Sequence, residues 1–512
     1  MTRRIVRTIC QLGALTVFTL VIVYFLDNQF RVLPSAIHNA LPAHHPGLVI
    51  TDITVTKCSR VNVFSSCKLD PDLWHRVEKD LYLGSGWVSS AYVHIKRKKE
   101  EELLPDDKVI IDVTIGRLDP STGVKGEGNE KWESRPAGLW LKRSAKRHAS
   151  DSAKAITAVD VLFGADAVDP RDGWEVVGTA LLLETAGEGQ EARLSVRRGK
   201  EAGHVKPVPR VNENGKFKIM QVADLHLSTG TGACRDAEPA GLNGGHCEAD
   251  PRTLEFVGKL LDQEKPDLVV LSGDQVNGET APDAQSAIFK YAELFIKRKI
   301  PYATIFGNHD DEGSLPRAGQ MALIESLPYY QEKPDLVVLS GDQVNGETAP
   351  DAQSAIFKYA ELFIKRKIPY ATIFGNHDDE GSLPRAGQMA LIESLPYYSF
   401  TSLSLNTATT VFHEKENGEK ALRRQDSTPG SGMHCTESGS PALWMCYAGG
   451  SGFGGYGGYG GYHRRVRFFD VDLNEARITT YKRVEYGEVE KRIDEQIIVE
   501  GVGRKGCEKE TR

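Results

Sequence analysis

Residues 266–310 read PDLVVLSGDQVNGETAPDAQSAIFKYAELFIKRKIPYATIFGNHD, and this stretch decides the fold. Leu268–Leu271 is an unbroken apolar run stopped by Ser272-Gly273-Asp274. Such a run suits a parallel strand buried on both faces. Ile288, Tyr291, Ala292, Phe295 and Ile296 then recur at i, i+3, i+4, i+7 and i+8, the apolar stripe of an amphipathic helix. Tyr302–Phe306 is the next strand and closes on Gly307-Asn308-His309-Asp310. Upstream, Ile219–Ala223 is another short apolar run ended by Asp224-Leu225-His226, and a helical period follows at Leu254, Val257 and Leu261. Strand and helix alternate, which makes the region α/β. Each polar signature sits where a strand ends, and ligands bind at that edge of an open α/β sheet.

The stretch belongs to a 68-residue block written twice, since Gln263–Tyr330 recurs without a change as Gln331–Tyr398. The period is too long and the copies too few for a solenoid. One βαβα unit has been copied once. A finished sheet has one place for it, so the two units either compete for that place or extend the sheet. Asp342, Asn376 and His377 are the twins of Asp274, Asn308 and His309. Copy one closes the shorter loop from the strand carrying Asp224, whereas copy two runs directly into Ser399 and the C-terminal strands. This favours Asp274, Asn308 and His309 as the set that fills a site, with Asp274 beside Asn376 and His377 as the mixed alternative.

The remaining chain is organised around this block. The 512 residues carry a formal net charge of -7, which argues against nucleic-acid binding driven by bulk charge. Arg3, Arg4 and Arg7 precede an apolar run from Ile9 to Leu26, near the lower length limit of a membrane span. Asp27, Asn28, Gln29 and Phe30 follow it, a poor context for signal cleavage, so residues 1–26 read as a retained signal anchor rather than a cleaved signal. The arginines place the N-terminus in the cytosol, giving a single-pass type II membrane protein with its bulk in the secretory-pathway lumen or outside the cell. The pairs Cys58/Cys67 and Cys234/Cys247 are spaced for disulfides in such a compartment. Residues 27–46 read as a stalk, 47–205 as a β-rich accessory domain, 206–499 as the domain holding the duplication, and 500–512 as a polar tail. Lys96–Lys99 followed by Glu100–Glu102 reads as a solvated loop or hairpin tip.

Asp224 and His226 would point into one crevice once their strand breaks, with Asp274 supplied from the neighbouring strand end and Asn308 and His309 from a third. Carboxylate, imidazole and amide oxygen donors suit Mn, Fe or Zn. A carboxylate such as Asp274 can bridge two metals, and a pair of metals can activate water and clamp an in-line displacement at phosphorus. His309 beside them would protonate the leaving-group oxygen.

The order D-x-H, G-D, G-N-H-D resembles the calcineurin-like metallophosphoesterase superfamily. With CEADPRTL (247–254) and WMCYAGGSGFGGYGGYGGYHRRVR (444–467), the chain looks like the fungal membrane-anchored phosphatases of the dosage-dependent cell-cycle-regulator type, with plant purple-acid-like relatives. The resemblance implies a layered β-sheet sandwich flanked by helices, preceded by the accessory domain and one N-terminal transmembrane helix. It implies two divalent or trivalent metal ions, the first held by Asp224, His226 and Asp274. Asp274 and Asn308 would help hold the second, and His309 would be the catalytic acid. A phosphoprotein or small phosphate ester would be the substrate. The purple enzymes proper place a tyrosine three residues after the G-D aspartate; Asn277 stands there, so no tyrosine-to-iron charge transfer is expected.

The chain also departs from that pattern. The family completes its site with a lone histidine and then G-H-x-H, but after His377 only His413, His434 and His463 remain, and no H-x-H occurs. The second metal site is therefore expected to be weak or empty, and the alternative reading is a catalytically impaired pseudophosphatase acting as a membrane-anchored binding protein. A third reading takes 449–467 as an RNA-binding low-complexity tract; a lumenal location removes that partner.

Overall fold

The computed structural model describes residues 48–59, 67, 69–84, 89–99, 102–104, 107–120, 132–144, 154–183, 191–203, 206–239, 245–331, 337–340, 344, 351–367, 370–373, 382–398, 409–411, 436–437, 443–446, 448–455 and 463–500. The proposed anchor and stalk lie outside them. Among the described residues no helix is long and apolar enough to cross a membrane. The chain divides into two compact units, 1–163 with 173–202, and 164–172 with 203–512.

The first unit is built of β1 (Leu48–Ser59), β2 (His75–Arg76), β3 (Ser89–Lys99), β4 (Ile110–Ile115), β5 (Trp132–Arg135), β6 (Leu139–Arg143), β7 (Ile156–Phe163), β8 (Trp174–Val176) and β9 (Ala192–Arg198). They pair antiparallel in three sheets of three, ordered β1-β3-β2, β4-β6-β5 and β7-β9-β8. Ile53, Val93, Leu139, Val161 and Leu194 meet in one core. Lys96–Lys99 extend β3 instead of forming a loop, paired with the start of β1. The Lys96 ammonium lies over the Trp74 ring at 4.7 Å, so its charge is accommodated without leaving the strand. Cys58 and Cys67 are bridged in this unit, and Cys234 and Cys247 in the other.

The second unit centres on a six-stranded sheet. Its strands are β10 (Lys216–Val222), β11 (Leu268–Ser272), β12 (Tyr302–Ile305), and, after the strands of the repeat and its sequel, β18 (Arg465–Asp472), β19 (Arg477–Val484) and β20 (Ile493–Glu500). The order is β12-β11-β10-β18-β19-β20. The first three run parallel, and β18 turns the sheet antiparallel at β10. Helix α1 (Ala249–Glu264) joins β10 to β11 and stops at Lys265, which adopts the left-handed conformation just before Pro266. Helix α2 (Ala284–Arg298) joins β11 to β12. Its N-cap Asp283 accepts from the Ser286 amide at 3.1 Å. It is buried nearly all round, through Ile288, Phe289, Tyr291, Ala292 and Phe295, as a helix inside a large core must be. Helix α3 (Arg317–Glu325) follows β12.

Copy one of the repeat thus supplies β11, α2, β12 and α3. Copy two repeats these as β13 (Val337–Ser340), α4 (Ala352–Arg366), β14 (Tyr370–Ile373) and α5 (Arg385–Glu393). It does not extend the main sheet: β13 and β14 form a two-stranded parallel sheet of their own. Ile356, Ala360, Tyr370 and Ile392 make a separate small core for it. Short strands β15 (Thr409–Val411), β16 (Thr436–Glu437) and β17 (Leu443–Met445) form a third sheet.

Candidate metal centre

The crevice lies beyond the carboxyl ends of β10, β11 and β12. Beyond β10 the backbone enters the left-handed region at Asp224 (φ 53°) and again at His226 (φ 47°), and Asp274 does the same beyond β11 (φ 52°). Aspartate and histidine are among the non-glycine residues enriched in that sparsely used region, and such backbone gathers at functional sites. Backbone bonds fix the turns: Asp224 N–H to Gly273 O (3.0 Å), His226 N–H to Asp274 O (2.9 Å) and Leu227 N–H to Gln275 O (2.9 Å). On the other side Ser451 N–H reaches Ala223 O at 2.9 Å and Gly452 N–H reaches Asp224 O at 3.0 Å.

These turns bring one ligand atom each from Asp224, His226 and Asp274 within 4.8 Å of one another. His226 and Asp274 are buried, and His226 Nε2 stands 3.9 Å from Asp274 Oδ2. Burial pushes the His226 imidazole down to about 3, helped by the positive charge of His309, Arg235 and Arg464. Its ring is therefore neutral at physiological pH, the form that ligates a metal. Burial raises the Asp274 carboxyl, outweighing the attraction of His309. An oxygen–nitrogen–oxygen donor set with two carboxylates around a desolvated centre fits a Mn, Fe or Zn ion, whose charge would offset theirs.

His309 stands at the rim. Its backbone N–H donates to Asp274 Oδ1 at 3.1 Å, and its ring centroid lies 5.2 Å from that of His226. Its Nδ1 is 2.8 Å from Glu312 Oε2. Burial alone would lower this imidazole, but the Glu312 hydrogen bond and the negative charge of Asp274, Glu312 and Glu279 raise it overall. Asn308 precedes it with an exposed side chain at the start of a 3-10 turn, His309–Glu312. Asp310, fully buried, ties this turn to its neighbour: Oδ1 accepts from Val276 N–H (2.9 Å) and Oδ2 from Gly307 N–H (2.8 Å). Asp342, Asn376 and His377 lie outside the described residues, as do His413 and His434.

Two glycines allow this packing. A Cβ on Gly307 would stand 2.1 Å from Asp274 Oδ1, and one on Gly455 would stand 2.3 Å from His226 Cδ2. Any side chain at either place would displace a candidate ligand. The described start of the Gly/Tyr tract is thus the wall of the crevice, and Arg464 holds it: its guanidinium donates to the carbonyls of Arg235 (2.7 Å) and Gly455 (2.9 Å).

A buried ammonium supports the turn from behind. Lys290 of α2 is 2 % exposed and reaches Ser228 O (2.9 Å), Gly230 O (2.7 Å), Asp250 Oδ2 (2.8 Å) and Asp166 Oδ2 (2.6 Å). Asp250 also accepts from Ser228 N–H at 2.9 Å. Sequence reasoning missed Lys290, Glu312 and Arg464. Asp250 and Arg464 lie within CEADPRTL and the 444–467 tract, where residue type alone gives neither a role.

Residues 217–331 and again 317–473 match the calcineurin-like phosphoesterase family. The chain belongs to that family. The first match takes in copy one and the second copy two, so this phosphoesterase meets the family pattern along both. Saccharomyces cerevisiae "Phosphatase DCR2" is 29% identical over 407 residues, 68% of this chain and 67% of that protein. An uncharacterised Schizosaccharomyces pombe protein is 27% identical over 484 residues, 85% of this chain and 87% of its own. An Arabidopsis thaliana protein named "Probable inactive purple acid phosphatase 29" is 38% identical over 120 residues, 23% of this chain and 30% of its own. The family and the phosphatase-named relative support a metal-dependent hydrolase acting on phosphoester bonds, of the fungal type.

Proposed function

We propose that this phosphoesterase hydrolyses phosphomonoesters, on a phosphoprotein or a small phosphate ester, at the crevice beyond β10, β11 and β12. The observation that carries the reading is the convergence of Asp224, His226 and Asp274 within 4.8 Å beside His309. Asp224, His226 and Asp274 would hold the first ion, Mn, Fe or Zn. Asp274 and Asn308 would hold the second, which is weak or empty because no H-x-H follows to complete it. Bound ions would supply Lewis acidity, making water nucleophilic at neutral pH and offsetting charge on the phosphoryl oxygens. The chain's own part is proton delivery. Glu312 accepts from His309 Nδ1, which leaves Nε2 to carry the proton that passes to the leaving oxygen as its bond to phosphorus breaks. The test is hydrolysis of 4-nitrophenyl phosphate by metal-stripped protein titrated with Mn, Fe or Zn. The reading expects saturable turnover that a chelator abolishes.

The missing H-x-H favours a second reading, a binding protein that takes up metal and turns over nothing. Mn binding without turnover in the same assay would establish it and remove the first.

We infer further that residues 1–26 anchor the chain, with Arg3, Arg4 and Arg7 in the cytosol, 27–46 as the stalk, and 47–205 and 206–499 as the lumenal or extracellular domains. The apolar run Ile9–Leu26 supports this. Alkaline carbonate should leave the protein in the membrane pellet; release to the supernatant would sink the anchor.

A further inference from the structure

Copy two has folded into the same unit as copy one without its surroundings. The pairing Val337↔Tyr370 through Ser340↔Ile373 repeats Val269↔Tyr302 through Ser272↔Ile305. The Tyr370 and Tyr398 rings stand 5.6 Å apart, as do those of Tyr302 and Tyr330. The difference lies in what covers the helix. Phe289 is fully buried with the Arg171 guanidinium 4.9 Å above its ring, whereas its twin Phe357 is 42 % exposed. Ser286 and Lys290 are buried, whereas their twins Ser354 and Lys358 are exposed. Phe357, Ala360, Ile364 and Leu395 line an open apolar groove. The face with which α2 docks is thus presented a second time by α4, where Phe357 and Lys358 are exposed.

The surface that fits this face is already in the molecule. It consists of the edge of β10 on which β11 of copy one is paired, and the carbonyls of Ser228 and Gly230 and the carboxylates of Asp250 and Asp166 that Lys290 of copy one holds. Because the copies are identical, it reads the same residues in either. Removing 263–330 or 331–398 leaves the same shorter chain, so the place in the sheet cannot distinguish them by their own sequence. Loop closure favours copy one: leaving it out inserts its 68 residues into the short connection between α1 and the next strand, whereas leaving copy two out lengthens a connection to β18 that is already long. The cost grows only with the logarithm of length. The junctions differ too: α1 runs through Gln263 and Glu264 into copy one, where Glu264 meets Lys218 (2.7 Å) and the Tyr481 hydroxyl (2.7 Å). Gln331 N–H to Tyr302 O (3.0 Å) and Gln331 Nε2 to Pro207 O (2.9 Å) hold its far end, whereas copy two exits at Ser399.

We propose that the two copies exchange for the single place in the six-stranded sheet, giving two isomers of the protein. One carries Asp274, Asn308 and His309 beside the single-copy ligands Asp224 and His226. The other carries Asp342, Asn376 and His377 there. The surface formed by β10 and the 228–230 turn is the partner of both docking faces.

The test is lysine acetylation of the full chain, marked with Glu361→Asp so that peptides of the two copies differ in mass. In Lys290→Ala, copy one can no longer neutralise Asp250 and Asp166, and copy two takes the place. Acetylation of Lys358 then slows by at least about tenfold relative to the marked parent. Lys358 remaining as reactive in Lys290→Ala as in the parent overturns the proposal, whether or not that variant is folded. Melting adds a second reading. Lys290→Ala and Lys358→Ala each stay close to the parent, while the double variant falls by roughly 10 °C, since two carboxylates are then left without their buried cation. Lys290→Ala falling as far as the double variant also overturns the exchange.

Discussion

Asp224→Asn is expected to weaken Mn binding by at least about 100-fold, because loss of a direct ligand should exceed the 10- to 100-fold cost of disturbing a ligand's support. Asp224 lies outside the repeat, so no twin can take over its role. The metal-free variant should be as stable as its parent or slightly more so. Asparagine accepts the left-handed backbone at φ 53° at least as well as aspartate, and the change removes one of two carboxylates that repel across the group. What disappears is the stabilisation by metal, about 2.7 kcal/mol when free Mn is 100 times its dissociation constant. Melts with and without Mn, paired with calorimetric titration, separate the two effects. An unchanged affinity would remove Asp224 from the ligand set, and a drop in the metal-free melting temperature would make it a structural residue instead.

The crevice was legible because its parts are local. D-x-H, G-D and G-N-H-D each end an apolar run, and such ends share one edge whenever the strands are parallel, as β10, β11 and β12 are. Other features depend on tertiary placement, which residue type and period do not encode. Lys290 stands between Phe289 and Tyr291, where a lysine reads as the wet side of a helix; it is buried because α2 is enclosed nearly all round and Asp250 and Asp166 arrive from elsewhere in the chain. Gly164–Asp172 read as part of the accessory domain, yet it clusters with the second unit, where Asp166 meets Lys290. The place of copy two was beyond local reasoning altogether, since identical residues have identical propensities. What separates the copies is their connections to the rest of the chain, since the place beside β10 takes one of them and reads the same residues in either. Glu312 was within reach: three residues after His309 in a tight turn, it falls on the same side as the imidazole.

Replacing both His309 and His377 by glutamine should lower kcat/KM for an alkyl phosphate by roughly 10²–10⁴-fold and for 4-nitrophenyl phosphate by no more than about tenfold. The two substrates differ in what their leaving oxygen needs. An alkoxide must be protonated as its bond to phosphorus breaks, whereas 4-nitrophenolate leaves without help. Both histidines are changed because either copy carries a complete G-N-H-D, and one intact copy in the sheet would mask the loss. The pH dependence carries the sign. Glu312 and Asp274 hold the His309 imidazole above its ordinary value, overcoming its partial burial. The acid form therefore persists further into the neutral range, and the parent's activity on the alkyl ester should fall as pH rises through that raised value. In the double variant this alkaline limb is lost and the remaining rate is flat across it. An equal loss on both substrates, with the limb retained, would mean that the His309 side chain acts through its packing beside His226 and leaves the proton to another group. A loss confined to the alkyl ester assigns the proton to the imidazole, whose charged form Glu312 favours through Nδ1.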